Sequence, residues 1–529
     1  MTYQLSERQS AAVACTSDNR VIIAGPGSGK TSTTIEAIEQ DLARLPAGSQ
    51  NQNRIIAITF TVRAAQQLRE KLEARAIFPW HVGTLHSFAL RVVSLTNPHG
   101  RVALLDEEST AETIVAVTKS LRLSVSASQV QACMEGRKPM TAPIASVIKA
   151  YRKLLRQGNA ADYLTVLQDA ADMIRSGAFE PYTPKEGWLL YVDEYQDSAP
   201  VDVEIYDALT CQKKWIVGDP DQNIFEWRGS RLMNLIEVTK RPGWQLHFLP
   251  ENFRSKPEIV SAAYGLIRQN ETRLDYEPVV TRTTGGFCAV RQFEFPEAEI
   301  AAIREALDDP DQPGTWGILT RYNAQRIEID KALRLAGVYT SEAVEELPKD
   351  YRLGMAWLAM LANPASRIAH DALLRAEMGK AEAQRVTEAG QRLVPKTWPD
   401  KWANVSELMG FLSSRGVGEQ FCELVWSASH AINSLDPSQI ALACKPETRY
   451  RASRVKVMTM HAAKGLEFDN VWLAATDLAS LPKDMEAERR VFYVAMTRAK
   501  NHLWISGALR RSNPYTGQPE RRIMSPFLP

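Results

Sequence analysis

The chain has 529 residues, which at about 150 residues per domain predicts three or four domains. Its 45% hydrophobic and 24% charged residues are those of a soluble globular protein and exclude a disordered, collagenous or disulfide-stapled chain. Sixty-three Lys and Arg stand against 62 Asp and Glu, so at a net charge of +1 any anionic partner must be held by local groups.

The six cysteines (Cys15, Cys133, Cys211, Cys288, Cys422 and Cys444) form no CxxC pair and have no His at ligand spacing. They predict neither zinc nor disulfides, and scattered thiols suit a reducing cytoplasm. No apolar run approaches the roughly 20 residues of a membrane span, and the first residues lack an apolar signal region. The expectation is a cytoplasmic protein with no membrane partner.

In chain order, short runs rich in β-branched and aromatic residues predict buried parallel strands at 21–24, 55–60, 189–192, 215–218 and 246–249. A second set follows at 316–320, 455–460, 471–474 and 503–505. Helical patterns separate them, which predicts an α/β fold with two doubly wound parallel-sheet cores. Mostly helical stretches interrupt each core. The predicted organisation is a first core at 1–92 and 186–248 with a helical insertion at 93–185. A second core spans 249–372 and 450–529, with a short helical insertion at 373–449.

The sharpest local signal is Gly25-Pro26-Gly27-Ser28-Gly29-Lys30-Thr31, between a predicted strand and a predicted helix. Glycines let backbone N–H groups converge on phosphate oxygens, and the helix N-terminus adds its positive dipole end. Lys30 is placed to reach the β- and γ-phosphates and Thr31 to ligate Mg²⁺. Ala24 stands where the usual pattern has its first Gly. The apolar run ending in Asp193-Glu194 supplies the second carboxylate strand: Asp193 for the metal, Glu194 to orient and deprotonate water. A Glu beside the metal Asp favours water over a hydroxyl as acceptor.

Asp193-Glu-Tyr-Gln-Asp197, with the P-loop before it, resembles the Walker B motif of UvrD/Rep/PcrA-type superfamily 1A helicases. The resemblance continues in the family's order. Leu5-Ser-Glu-Arg-Gln9 resembles the Q motif, Ile58-Thr-Phe60 motif Ia, and Gly83-Thr84-Leu-His86 motif Ib. Val217-Gly-Asp-Pro-Asp-Gln222 through Phe225, Trp227 and Arg228 resembles motif III, and Asn252-Phe253-Arg254-Ser motif IV. Met458 to Phe468, with His461, Gly465 and Glu467, resembles motif V, and Tyr493 to Lys500, with Arg498, motif VI.

The fold implied is a pair of RecA-like P-loop NTPase cores, and the cofactors implied are ATP and Mg²⁺. Gln9 is expected to read the adenine edge and Phe253 to stack on it. Arg254 and Arg498, on the second core facing the P-loop, are the implied arginine fingers. Gln222 resembles the γ-phosphate sensor, His461 its coupling partner, and Glu467 a ribose contact. Ser32 stands where the family usually has Arg, and Phe225 and Phe253 where Tyr is common.

For nucleic acid, Phe60, Thr84, His86, Phe225, Trp227, Arg228 and His461 are the candidate contacts. Aromatic faces stack on bases without reading sequence. Arg63, Arg69, Lys71 and Arg75 are candidates for a phosphate path. Arg415-Gly-Val-Gly418 faintly resembles the family's Gly-Ile-Gly duplex-contact motif, but its placement differs and a plain turn is the preferred reading. The resemblance implies an ATP-dependent single-stranded DNA translocase and 3′-to-5′ helicase acting on tailed duplex DNA in repair, replication or recombination. The alternative is a partner-dependent motor or sensor subunit working with a separate nuclease in a repair or anti-phage system.

Overall fold

The computed structural model describes residues 4–46, 51–97, 102–105, 107–134, 138–158, 160–163, 165–226, 229–338, 340, 353–354, 357–358, 361, 405–414, 417, 422, 425, 454–478, 482, 484–512 and 519–527. The chain divides into two compact units, Met1–Pro296 with Thr459–Pro529, and Glu297–Met458.

The first unit is built on a six-stranded parallel sheet. Its strands run across the sheet in the order His81–Thr84, Ile55–Thr59, Trp188–Val192, Cys211–Gly218, Asn19–Ala24 and Trp244–Leu249. Strand residues alternate between two cores: Val21, Ile23, Ile56, Ile58, Leu190 and Val192 pack on one face. Ile22, Ala24, Ile55, Ala57, Leu189 and Tyr191 pack on the other. A sheet covered on both faces needs apolar residues at consecutive positions, which is why these strands read as continuous runs in the sequence.

Two strands at sheet edges were not among the predicted runs. His81–Thr84 is the edge of the first sheet, and Phe287–Phe293 is the edge strand beside Ala499–Ala508, which in turn pairs with Phe468–Leu473. In Phe287–Phe293 the residues Val290, Arg291 and Gln292 are at least partly open to solvent, so no apolar signature is needed there.

Between 85 and 175 the chain is mainly helical: Leu85–Thr96, Glu107–Ser120, Ala127–Met134, Ala142–Gln157 and Thr165–Arg175. Three of these helices enclose a core of their own, from Ile114 and Val117 through Val130 to Val147, Ile148 and Tyr151. A short parallel pair, Ala103–Leu105 with Ala160–Asp162, accompanies them.

In the second unit the helix Pro296–Asp308 precedes the buried strand Trp316–Thr320, which is followed by the helix Asn323–Leu335. Thr340 bridges in parallel to Val455, where the strand Val455–Thr459 begins. Of the predicted insertion at 373–449, the helix Val405–Ser414 and three single residues are described. Arg415, Gly416 and Gly418 lie outside the described residues.

Candidate active site

The phosphate loop joins the strand Asn19–Ala24 to the helix Lys30–Ala43. The turn requires the left-handed region twice, at Gly27 (φ +72°) and Gly29 (φ +76°), which only glycine enters without cost. Gly29 is the N-cap residue, and its carbonyl accepts from both the amide and the hydroxyl of Thr33 at 3.0 Å.

Two other segments hold this loop. On one side Gln9, fully buried, donates from Nε2 to the Ser28 carbonyl at 2.8 Å, while its Oε1 accepts from the Ser6 amide at 2.8 Å. The side-chain amide of Gln9 is thus engaged at both ends, one on the loop and one on the cap of its own helix, and Gln9 is not among the residues that line the cleft. On the other side Asn252 Nδ2 donates to the Pro26 carbonyl at 3.0 Å and the Phe253 amide to the Gly27 carbonyl at 2.9 Å. A Cβ on Gly27 would lie 2.6 Å from Arg254 Cβ and 3.2 Å from its amide nitrogen, so Arg254 packs directly on the loop. Its guanidinium turns to Glu467 Oε2 at 2.7 Å and to the Thr497 carbonyl at 3.2 Å.

Facing Lys30 are the two acids at the end of the strand Trp188–Val192. Lys30 Nζ lies 3.4 Å from Glu194 Oε1. Burial lowers the Lys30 pKa, but Glu194, Asp193 and Asp219 outweigh it and hold the ammonium above its usual value. Glu194 occupies the left-handed region (φ 55°, ψ 39°), a conformation costing about 1–2 kcal/mol for a residue with a Cβ. Such strain recurs where a side chain must be aimed. Burial and the adjacent Glu194 push Asp193 up to about 6. Against its own burial, Glu194 is held down at about 2 by Lys30 and Lys464.

Behind these acids lies a buried polar network. Gln196 donates from Nε2 to Glu194 Oε2 and accepts at Oε1 from the Asp219 amide at 3.0 Å. Gly218 makes room for it, since a Cβ there would be 2.7 Å from Gln196 Oε1. Gln222 donates from Nε2 to Asp219 Oδ2 at 2.6 Å and accepts at Oε1 from Arg498 Nη2 at 3.0 Å. Arg498 also donates from Nε to the Val494 carbonyl at 2.8 Å; burial, then the neighbouring Arg254, push its pKa down. It is a buried cation short of counter-charge, which an incoming triphosphate would supply.

Sequence reasoning assigned no role to Lys464, yet its Nζ ion-pairs with Asp197 and donates to the Gln222 carbonyl at 2.8 Å. Burial lifts Asp197 to about 7 despite that ion pair. The available signal was a cation inside the motif between His461 and Gly465, with only Ala and Gly immediately around it.

The phosphate loop, the two acids and the cations facing them line one cleft of about 650 Å³. Pro26, Gly27, Ser28, Gly29, Lys30, Thr31 and Ser32 form one wall, with Asp193, Glu194 and Gln222. Phe253, Arg254, Gly465, Glu467 and Arg498 form the other, together with Lys464. Of the residues expected to hold nucleotide, only Gln9 and Gly25 are outside the lining.

The candidate nucleic-acid residues fall into two groups. Phe60 and Phe225 stack on each other, with centroids 4.9 Å apart at 20°, and His461 lies 6.2 Å from Phe225. Lys464 Nζ lies 5.0 Å from the Phe225 centroid, so this cluster borders the cleft. Phe225 is only 8% exposed, whereas Phe60 keeps more of its surface. Thr84 caps the helix Leu85–Thr96, accepting from the Ser87 amide, and His86 packs 5.5 Å from Tyr163. The pairing of Thr59 with Thr84 brings Phe60 and His86 to adjacent strand ends. Burial pushes the His86 pKa down. Trp227 and Arg228 lie outside the described residues. Arg75 is held by Glu36 and Glu39, each at 2.5 Å, so its charge is already matched locally.

Among the described residues, no group of three or more His, Cys, Asp or Glu could hold a metal ion, and no helix is long and apolar enough to cross a membrane.

Comparison with known proteins gives matches along the chain. A family model described as an AAA domain matches residues 8–228, and one described as the UvrD-like helicase C-terminal domain matches residues 401–510. The ATP-dependent DNA helicase PcrA of Leuconostoc citreum is 24% identical over 649 residues, covering 100% of this chain and 86% of the relative. PcrA of Staphylococcus aureus (strain Mu50) is 23% identical over 632 residues, and that of Staphylococcus epidermidis 23% over 634, each covering 99% of this chain and 86% of the relative. One model falls on the phosphate loop and the Asp193-Glu194 strand, the other on the segment bearing Lys464, Glu467 and Arg498, and the relatives span nearly all of this chain: together the matches support a UvrD/PcrA-like superfamily 1A helicase.

Proposed function

We propose that this protein is an ATP-driven motor that moves along single-stranded DNA and unwinds tailed duplexes with 3′-to-5′ polarity. The observation that carries the reading is the two-sided cleft. The phosphate loop, Asp193 and Glu194 stand on one wall, and Arg254, Arg498 and Glu467 on the other. A triphosphate between them would meet cations from both sides. Its hydrolysis would remove the charge that draws them together, which turns chemistry into motion.

Within this reading Lys30 holds the β- and γ-phosphates, and Glu194, kept ionised by Lys30 and Lys464, takes a proton from the attacking water. Arg254 and Arg498 stabilise the charge that develops on the γ-phosphate. Gln222, bonded to Arg498, senses that phosphate. Phe253 stacks on the base, Glu467 meets the ribose, and Gln9 acts by fixing the loop.

Thr31 and Asp193 are hard oxygen donors suited to Mg²⁺, and burial with the adjacent Glu194 pushes Asp193 toward its neutral form in spite of Lys30 and Lys464, which a divalent cation would reverse. Magnesium held there would neutralise the phosphate oxygens.

The DNA track is assigned to Phe60, Thr84, His86, Phe225, Trp227, Arg228 and His461. The domain organisation proposed is a first nucleotide-binding core at 1–92 and 186–248 and a second at 249–372 and 450–529. Helical insertions occupy 93–185 and 373–449. The protein is placed in the cytoplasm, as its free thiols suit. The free enzyme is preferred to a subunit completed by a nuclease or repair partner, because both walls of the cleft come from one chain.

The test is unwinding of 3′-tailed against 5′-tailed duplexes with ATP and Mg²⁺, alongside ATPase stimulation by single strands. Unwinding from a 5′ tail alone would sink the polarity. Absence of any stimulation would sink the motor.

A further inference from the structure

The segment after Asn252 touches the nucleotide machinery at a second place, outside the motifs named above. Tyr276 donates from its hydroxyl to Asp219 Oδ1 at 3.1 Å. Asp219 is fully buried, and its other oxygen accepts the Gln222 amide at 2.6 Å. Gln222 in turn accepts from Arg498 at 3.0 Å. The phenol also lies against the phosphate loop, since a Cβ on Gly25 would be 3.3 Å from its oxygen. Three residues earlier, Arg273 Nη2 donates to Asp221 Oδ2 at 2.9 Å, and its guanidinium lies 5.6 Å from the Tyr264 ring and 5.8 Å from the Tyr276 ring. Both carboxylates of the turn Gly218-Asp-Pro-Asp-Gln222 are therefore held by one short stretch of chain.

A carboxylate that orients an amide does so only as well as it is itself oriented. Asp219 Oδ1 has two donors, the Asp221 amide at 3.0 Å and the Tyr276 hydroxyl. The first belongs to the same turn and moves with it. The second comes from outside, and with the Arg273–Asp221 pair it fixes the turn against the segment bearing Asn252 and Arg254.

We infer that Tyr276 is a positioning residue for ATP hydrolysis: through Asp219 it sets the Gln222 amide against Arg498, so that the phosphate-sensing turn and the phosphate loop are registered to the same side chain. This rests on the functional reading above, because it presumes that Gln222 and Arg498 act on a bound triphosphate. The role is distinct from packing. The ring fills space beside Gly25 and Phe248, whereas the hydroxyl alone reaches Asp219.

Tyr276→Phe keeps the ring and deletes the hydroxyl. The expected result is a three- to tenfold fall in kcat for ATP with KM changed less than twofold and an unaltered melting temperature. The double variant Tyr276→Phe/Gln222→Ala should be no slower than Gln222→Ala alone, because a residue acting through Gln222 has nothing left to position. Arg273→Lys, which keeps the charge but loses the planar fork, should show the same kcat-weighted loss in milder form. A Tyr276→Phe enzyme with unchanged kcat, a change confined to KM, or losses that multiply with those of Gln222→Ala would each overturn the assignment. If the wild-type chain itself turned over no ATP, the motor reading and this inference would both fall. If it turned over ATP and Tyr276→Phe matched it, only the inference would.

Discussion

Arg498 donates from Nη2 to Gln222 Oε1 at 3.0 Å from a position enclosed by protein, with burial and Arg254 both working against its charge. A guanidinium so placed gains most from an anion arriving in front of it. Arg498→Ala is expected to lower kcat for ATP by about a hundredfold or more, in the range of lost transition-state donors, while KM rises far less. Steady-state ATPase kinetics check this. A change in KM alone would reduce Arg498 to a binding contact.

Lys30 and Glu194 face each other at 3.4 Å across the floor of the cleft. Lys30→Ala and Glu194→Gln should each abolish turnover to below one per cent, a loss of roughly 3 kcal/mol or more in transition-state stabilisation. Both variants should still bind a single-stranded oligonucleotide, since neither residue belongs to the aromatic cluster. Turnover within tenfold of wild type in either would refute the roles given to them.

Gly27 has φ +72° and room for no Cβ, with Arg254 Cβ 2.6 Å from where one would be. Gly27→Ala combines a left-handed penalty of about 1–2 kcal/mol with a clash against the Arg254 Cβ. The expected outcome is loss of measurable nucleotide binding by calorimetry and a lower melting temperature. Nucleotide affinity equal to wild type would show that the loop and the Arg254 segment do not depend on each other.

Asp197 titrates near 7 because it is buried, although Lys464 opposes the shift. The ordinary value for an unfolded Asp is about 3.9, so between the two values the folded state binds the extra proton. This group's contribution is therefore fully present below about pH 4 and is lost as pH rises through about 7. Asp197→Asn should flatten that part of the stability profile between pH 4 and 7 by an amount on the order of a few kcal/mol. Denaturant melts across that range, compared with wild type, measure the slope. Identical slopes would mean that Asp197 is ionised throughout.

Phe60 and Phe225 stack at 4.9 Å, but only Phe60 retains appreciable surface. Phe60→Ala should weaken single-strand binding by about 1–3 kcal/mol, regardless of base sequence, and should change the melting temperature little. Phe225→Ala should lower the melting temperature more, as a core truncation does. Fluorescence titration at fixed salt and a thermal melt separate the two. Equal DNA affinity for wild type and Phe60→Ala would remove Phe60 from the track.

The sequence was informative where physics demands a local pattern. The phosphate loop needs its glycines in a row, and the strand before Asp193 is covered on both faces, so each left a contiguous mark. The strand His81–Thr84 left none, being a sheet edge of four residues that include His and Gly. Motif spacing identified Gln9 as a nucleotide residue, but not that its amide is committed to Ser6 and Ser28. That depends on where the loop folds back. Lys464 lay within a recognised motif, yet its partner Asp197 is 267 residues away. Tyr276 and Arg273 belong to no motif. Their meaning comes wholly from the turn they touch, a tertiary relation with no sequence period to reveal it.

The bonds from Asn252 to Pro26 and from Phe253 to Gly27 tie the phosphate loop to the chain that leaves the strand Trp244–Leu249, so the loop and the segment carrying Arg254 are held as one object. Thermodynamic reciprocity then applies without intermediaries. Whatever factor nucleotide contributes to the preferred setting of that segment, a ligand that sets the segment from elsewhere must return to nucleotide affinity in full. For the proposed motor, a grip on the track that resets this segment would carry a matching change in the hold on nucleotide.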